Sequence, residues 1–138
     1  MDKAITILDA QAITTAVTGT ASTAVPTGVG SAVAVTLTVT FVYGSGGTTL
    51  KVWIQTSLDG GTTWIDIACM TATTSSKVNV CNLSGRTPVT TLYAPLDGTL
   101  ADDTCKDGIV GPLFRTKRTT TGTYAGGTTL SVVALVKA

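Results

Sequence analysis

Histidine and glutamate are absent from this chain of 138 residues, and charged residues supply only 12% of it. Without histidine, a serine- or cysteine-based hydrolytic triad loses its usual base. With no Cys-x-x-Cys spacing either, the common zinc sites are excluded. Without glutamate, the opposed carboxyl groups of glycoside hydrolysis would have to come from the eight acidic residues that are all aspartate. No Gly-x-x-x-x-Gly-Lys-Ser/Thr or Gly-x-Gly-x-x-Gly stretch is there to cradle a phosphate. These absences predict a protein that is not an enzyme and carries no cofactor and no metal ion. A net charge of +1 creates no field to draw in nucleic acid or an anionic membrane, so neither is an expected partner. No apolar run is long enough for a spanning helix. The opening MDKAITILDAQAITTA starts with an acid and is interrupted by polar residues, unlike a secretion signal, which predicts a protein made and used on the cytoplasmic side.

What the chain has in quantity is threonine, about a fifth of its residues, beside an apolar fraction of 43%. A branched Cβ favours pleated backbone and a hydroxyl tolerates water, so strands with one wet face are expected. Residues 1–31 hold a short apolar run, Ala4 to Leu8, and then a weakly patterned tract ending at VPTGVGS. They read as an extended N-terminal arm with candidate edge strands, unable to fix its own register. Next, Val33, Val35, Leu37, Val39 and Phe41 alternate with Ala34, Thr36, Thr38 and Thr40, the period-two mark of a half-buried strand. The turn GSGG at 44–47 leads to Leu50, Val52 and Ile54 inward and Lys51, Trp53 and Gln55 outward, which predicts a hairpin.

Further strands are expected over TWIDIACM, with Ile65, Ile67 and Cys69 on one face, and over KVNVCNL, with Val78 and Val80 on one side. Residues 84–108 are irregular, with at most one strand around Val89 to Tyr93. GPLFRTKRTT and TTLSVVALVKA close the series, the latter aligning Leu130, Val132, Ala134 and Val136. YAGGTTLSVVALV echoes YGSGGTTLKVWIQ, a likeness that a shared tight turn and strand explain without duplication. The predicted fold class is all-β, an antiparallel β-sandwich, jelly-roll-like, with residues 32–138 as a single domain after the arm.

The stretch SLDGGTTW has the Asp-box spacing Ser-x-Asp-x-Gly-x-Thr-Trp. Ser57, Asp59 and Thr63 can hydrogen-bond a turn backbone, Gly60 and Gly61 permit a tight path, and Trp64 covers it. In sialidases this motif recurs around a propeller, away from the catalytic pocket; one copy in a chain this short predicts a structural turn. Asp97, Asp102, Asp103 and Asp107 cluster in one irregular stretch, either as calcium ligands or, more commonly, as solvated surface. Cys69 and Cys81 could bridge across a hairpin, or stay two small buried thiols, the plainer expectation. Arg115, Lys117 and Arg118 form the densest positive group, suited either to docking an acidic protein surface or to guarding a sheet edge. Trp53 and Tyr43 are candidate interface aromatics, and Trp53 or Trp64 would be the stacking platform if the sandwich were a carbohydrate-binding module.

The opening ITILDAQA, the Thr/Val strand, the stretch TLKVWIQTSLDGGTTWIDIA and the low-charge remainder resemble small structural proteins of tailed bacteriophages and prophages, chiefly over residues 4–12 and 33–68. The resemblance implies a virion protein assembled in the bacterial host cytoplasm. Its implied role is that of a capsid decoration or cement protein, a homotrimer that binds the major capsid protein and stabilises adjacent capsomers. The same likeness extends to head-to-tail connectors and tail components, which stand as the alternative. A neutral threonine-rich surface costs little to desolvate, and many copies add modest contacts into durable ones.

Overall fold

The alternation of threonine with valine and leucine resolves into antiparallel sheets with no helix among residues 2–28 and 33–137, which the computed structural model describes. The boundary expected between residues 31 and 32 lies outside the described residues. In chain order the strands are β1 (Lys3–Ala12), β2 (Val17–Ala21), β3 (Val25–Pro26), β4 (Ala34–Val42), β5 (Ser45–Gly46) and β6 (Thr49–Ser57). They continue as β7 (Ile65–Ala72), β8 (Lys77–Ser84), β9 (Thr104–Cys105), β10 (Leu113–Thr121), β11 (Tyr124–Ala125) and β12 (Thr129–Lys137). A first sheet has the order β1-β12-β4-β8, and a second β2-β10-β6-β7-β9 with β3 also on β10. The ribbon β5-β11 stands apart from both.

The two large sheets bury one shared core. Val35, Leu37, Val39 and Phe41 of β4 and Leu130, Val132, Ala134 and Val136 of β12 face Leu50, Val52 and Ile54 of β6 and Phe114 of β10. Each such fully buried aliphatic or aromatic side chain contributes about 1.5–3 kcal/mol of transfer free energy, before the entropy of ordering it. This is the part of the fold that the alternation dictates directly.

Four expectations need correction. Residues 3–12 form one of the candidate edge strands, but not on a loose arm: β1 is paired with β12 from Lys3↔Val136 to Ala12↔Thr129, and it sends Ile5, Ile7 and Leu8 into the core. Its periodicity is weak because the register shifts twice, between Thr6 and Leu8 and between Leu8 and Gln11, so that neighbouring Ile7 and Leu8 both point inward. The hairpin expected between β4 and β6 does not form. β4 is flanked by β12 and β8, and the link 43–48 carries the chain across to the second sheet. The strand expected near Val89 to Tyr93 is absent, and the one strand in that stretch is β9.

The fourth correction concerns β7. Ile54 opposes Ala68 and Gln55 opposes Asp66, which leaves Ile67 without a partner. This bulge resets the alternation, so Ala68, Met70 and Ala72 join the core while Cys69 turns to the outer side opposite Trp53. The Cys69–Cys81 bridge is thereby disfavoured, since Cys81, opposite Leu37, faces inward from the other sheet. All three cysteines are free thiols.

The two echoing sequences meet in space. The link from β4 to β6 and the link from β10 to β12 cross between sheets at the same end, where Ser45–Gly46 pairs with Tyr124–Ala125. Gly44 lies so close to Gly126 that a Cβ there would strike its carbonyl oxygen.

Candidate functional site

The outer side of the second sheet is where the sequence put most of its candidate residues, and the structure covers that side with the long segment between β8 and β10. Asp66, fully buried between two isoleucines, is the anchor. Its carboxylate accepts hydrogen bonds from the backbone N–H groups of Gly98 (2.9 and 2.8 Å), Thr99 (2.9 Å) and Leu100 (3.0 Å), and from Gln55 Nε2 (2.8 Å). Gly98 reaches this position at φ +82°, a conformation that strains other residues. Consecutive amides around one carboxylate form the kind of nest that binds anions elsewhere, here filled by the chain itself.

Arg115 and Lys117 extend this network outward to the half-exposed Asp97. Gln55 Oε1 accepts from Arg115 Nε at 2.7 Å, while Gln55 Nε2 and Lys117 Nζ donate to Asp97 Oδ1 at 2.7 and 3.0 Å. The Arg115 guanidinium also lies 4.3 Å over the Trp64 ring. Arg118 points the other way, because alternate residues of a strand face opposite sides; it opposes Val52 and lines a cleft with Ile7, Leu8 and Thr20. The three basic residues therefore do not make one exposed strip. Trp53 and Trp64 are 8% and 7% exposed, and Trp53 Nε1 donates to the Leu100 carbonyl at 3.1 Å. Neither indole offers a sugar an open face. Tyr43 packs edge-on against Tyr124 and donates its hydroxyl to the Gly46 carbonyl at 2.9 Å, so it too is part of the framework.

The stretch SLDGGTTW forms the turn between β6 and β7. Ser57 Oγ donates to Asp59 Oδ1 at 3.0 Å and accepts from the Gly61 amide at 2.9 Å, and Asp59 Oδ1 accepts from the Thr63 amide at 2.8 Å. The remaining aspartates diverge. Asp102 pairs with Lys51, Asp103 binds Thr71 and Lys77, and Asp107 binds Ser84 and Thr87. Among the described residues no three His, Cys, Asp or Glu side chains are grouped to share a metal ion.

These contacts predict an acid limit of stability. Donation by the Thr63 amide to Asp59, by the Thr71 amide to Asp103 and by the Ser84 amide to Asp107 holds each carboxyl below its ordinary value. Burial pushes Asp97 up, but Gln55 and Lys117 outweigh it and leave it lowered too. A lowered folded-state value stabilises the fold above the unfolded value of about 3.9, and the gain is lost as pH falls through the folded values. The melting temperature should be flat from about pH 7 to 5 and fall below about pH 4; a main loss near neutrality would contradict this assignment.

The outer face of the first sheet has the opposite character. Cross-strand partners share a face, so Thr6, Val133, Thr38 and Val80 form one row, Ala4, Leu135, Thr36 and Asn82 a second, and Ser131, Thr40 and Val78 a third. None of these residues is ionisable; a fourth row at one end holds Lys137, Ala34 and Ser84. Val78 and Val80 are 61% and 64% exposed, and Val133 and Leu135 are exposed beside them. The valines seen in KVNVCNL thus point outward, while Lys77, Asn79, Cys81 and Leu83 take the inner side. The exposed valines were readable in the sequence, but their direction depends on which strands flank β8. Comparison with protein-family models, with curated proteins and with solved structures finds no match to this chain.

Proposed function

We propose that the chain is a structural protein of a bacteriophage virion, a capsid decoration protein that binds the major capsid protein and stabilises adjacent capsomers. The observation that carries this reading is the run of three uncharged valine- and threonine-bearing rows on the outer face of the β1-β12-β4-β8 sheet. Three adjoining rows without an ionisable group, with Lys137 only at one end, can be covered at low desolvation cost and by repeated copies with little like-charge repulsion. Strand spacings give it on the order of 400–500 Å² of flat area, below the roughly 800 Å² that each partner contributes to a standard stable interface. That shortfall favours a protein that acts in many copies, as a homotrimer on a lattice, where linked contacts reinforce one another. The resemblance of residues 4–12 and 33–68 to small phage structural proteins points the same way.

A jelly-roll reading of the sandwich has support in the strand order. Among the eight principal strands the first lies beside the last in one sheet and the second beside the next-to-last in the other, as β1-β12-β4-β8 and β2-β10-β6-β7. Two interlocked Greek keys produce this order.

The test is binding to preformed capsid shells. The double variant V80D/V133D should lose at least about tenfold in shell binding, because two charges would be desolvated in the contact. Both side chains are exposed, so the circular-dichroism spectrum and melting temperature should stay close to those of the parent. Undiminished binding by a folded double variant would remove this face from the contact. A count of few copies confined to one vertex would favour the head-to-tail or tail alternative. Deleting residues 1–20 is a poor probe of docking, since it removes β1 and its three core side chains.

A further inference from the structure

One open side of the sandwich holds a cleft of about 210 Å³ between β8, the edge of the first sheet, and β9, the edge of the second. All three cysteines line it. The pleat decides which of them can meet. Cys105 opposes Ala68, whose side chain is in the core, so Cys105 faces inward toward β8. Cys81 opposes Leu37 and faces inward from the first sheet. Cys69 opposes Trp53 and Thr104, one residue out of phase, and is turned away. Cys105 is exposed and within reach of a solute, whereas Cys81 is half-buried behind it.

We infer that Cys81 and Cys105 are a disulfide site that, on oxidation, bonds the edges of the two sheets together. This rests on the fold alone and does not depend on the virion reading. A low-molecular-weight disulfide such as glutathione disulfide suffices as oxidant. The Cys105 thiolate attacks one of its sulfurs and expels a glutathione thiolate. The Cys81 thiolate then attacks the Cys105 sulfur, forms the Cys81–Cys105 bond and expels the second. The two protons given up by the protein thiols go to the two departing thiolates, so two protein thiols are oxidised and one glutathione disulfide is reduced to two thiols. In the reduced protein burial, and then the neighbouring Cys105, push the Cys81 thiol up to about 12; burial still holds it up once Cys105 carries glutathione, so closing is slow at neutral pH and faster as pH rises. In a reducing cytoplasm the pair stays open; in oxidising surroundings it closes.

Trypsin provides a clean assay, because cleavage after Lys51, Lys77, Arg86 and Lys106 puts Cys69, Cys81 and Cys105 on the separate peptides 52–77, 78–86 and 87–106. The reduced full-length protein is incubated with glutathione disulfide at mildly alkaline pH, alkylated and digested without reductant. The expected product is peptide 78–86 linked to 87–106, with Cys69 alkylated only after denaturation. The melting temperature should rise by about 5–15 °C on closure and return on reduction. Cys69→Ser should leave the linkage intact and Cys105→Ser abolish it. Linkage through 52–77, dimers joined at Cys105, a glutathione adduct that persists on Cys105, or no linkage at all would each overturn the assignment.

Discussion

Replacing Asp66 by alanine is expected to lower unfolding free energy by about 3–5 kcal/mol and to release the segment between β8 and β10. The carboxylate is fully buried, and it is the shared acceptor for the amides of Gly98, Thr99 and Leu100 and for the Gln55 side chain. Its removal strands several donors in a site that alanine leaves without an acceptor, and each buried orphan costs about 1–3 kcal/mol, though not additively. The damage then spreads. Gln55 positions Arg115 and Asp97, and Leu100 accepts from the Trp53 indole, so the cover over both tryptophans loosens with the nest. Urea unfolding reads the energetic loss, and trypsin cleavage at Arg86 or Lys106 under native conditions reads the release. Asp66→Asn should recover little, because its NH2 group would confront amide donors on one side. A midpoint shift worth less than about 1 kcal/mol, with the segment still resistant to cleavage, would show that the nest is not what holds the cover down.

Tyr124→Ala should be of similar severity, about 3–5 kcal/mol, for a different reason. Tyr124 is almost fully buried at the clasp where both crossing links meet, with its ring edge-on to Phe41 at 5.8 Å and to Tyr43 at 6.2 Å. Gly47 is close enough that any side chain there would run into the ring. Alanine leaves a cavity that this backbone contact cannot collapse to fill, and it strands the Thr73 carbonyl, which accepts from the Tyr124 hydroxyl at 2.8 Å. Tyr124→Phe separates the two contributions, since it keeps the packing and loses the hydrogen bond at about 1 kcal/mol. Equal losses for the two variants in thermal unfolding would place the cost in the hydroxyl and not in the ring.

The strands that were plainest in the sequence are those whose alternation is uninterrupted. β4 and β12 keep one register over their whole length, Thr129↔Val42 to Lys137↔Ala34, and their inward residues are the ones the pattern named. In β1 two register shifts scramble the period, so the sequence shows a weakly patterned arm with candidate edge strands and not a core strand; in β7 one bulge at Ile67 inverts the alternation after it. Neither feature has a reliable mark in a single sequence. Partner choice was equally hidden: nothing local in the link 43–48 tells a hairpin from a crossing between sheets. The basic residues looked free because the carboxylate that engages Arg115 and Lys117 comes from Asp97, on a different segment. One clue was present. An aspartate between Ile65 and Ile67, next to Trp64, is a charge in an apolar run, and such a charge needs buried partners from elsewhere in the chain.

The pairing of β1 with β12 has a consequence for how the molecule is made. Lys3 finds its partner in Val136, so β1 must wait until β12, far along the chain, has been made before it can dock. Until then β12 and the sheet built on it do not exist, and neither does the valine-bearing face. A chain still being synthesised therefore carries its exposed valines on strands not yet joined in one sheet until β12 has emerged.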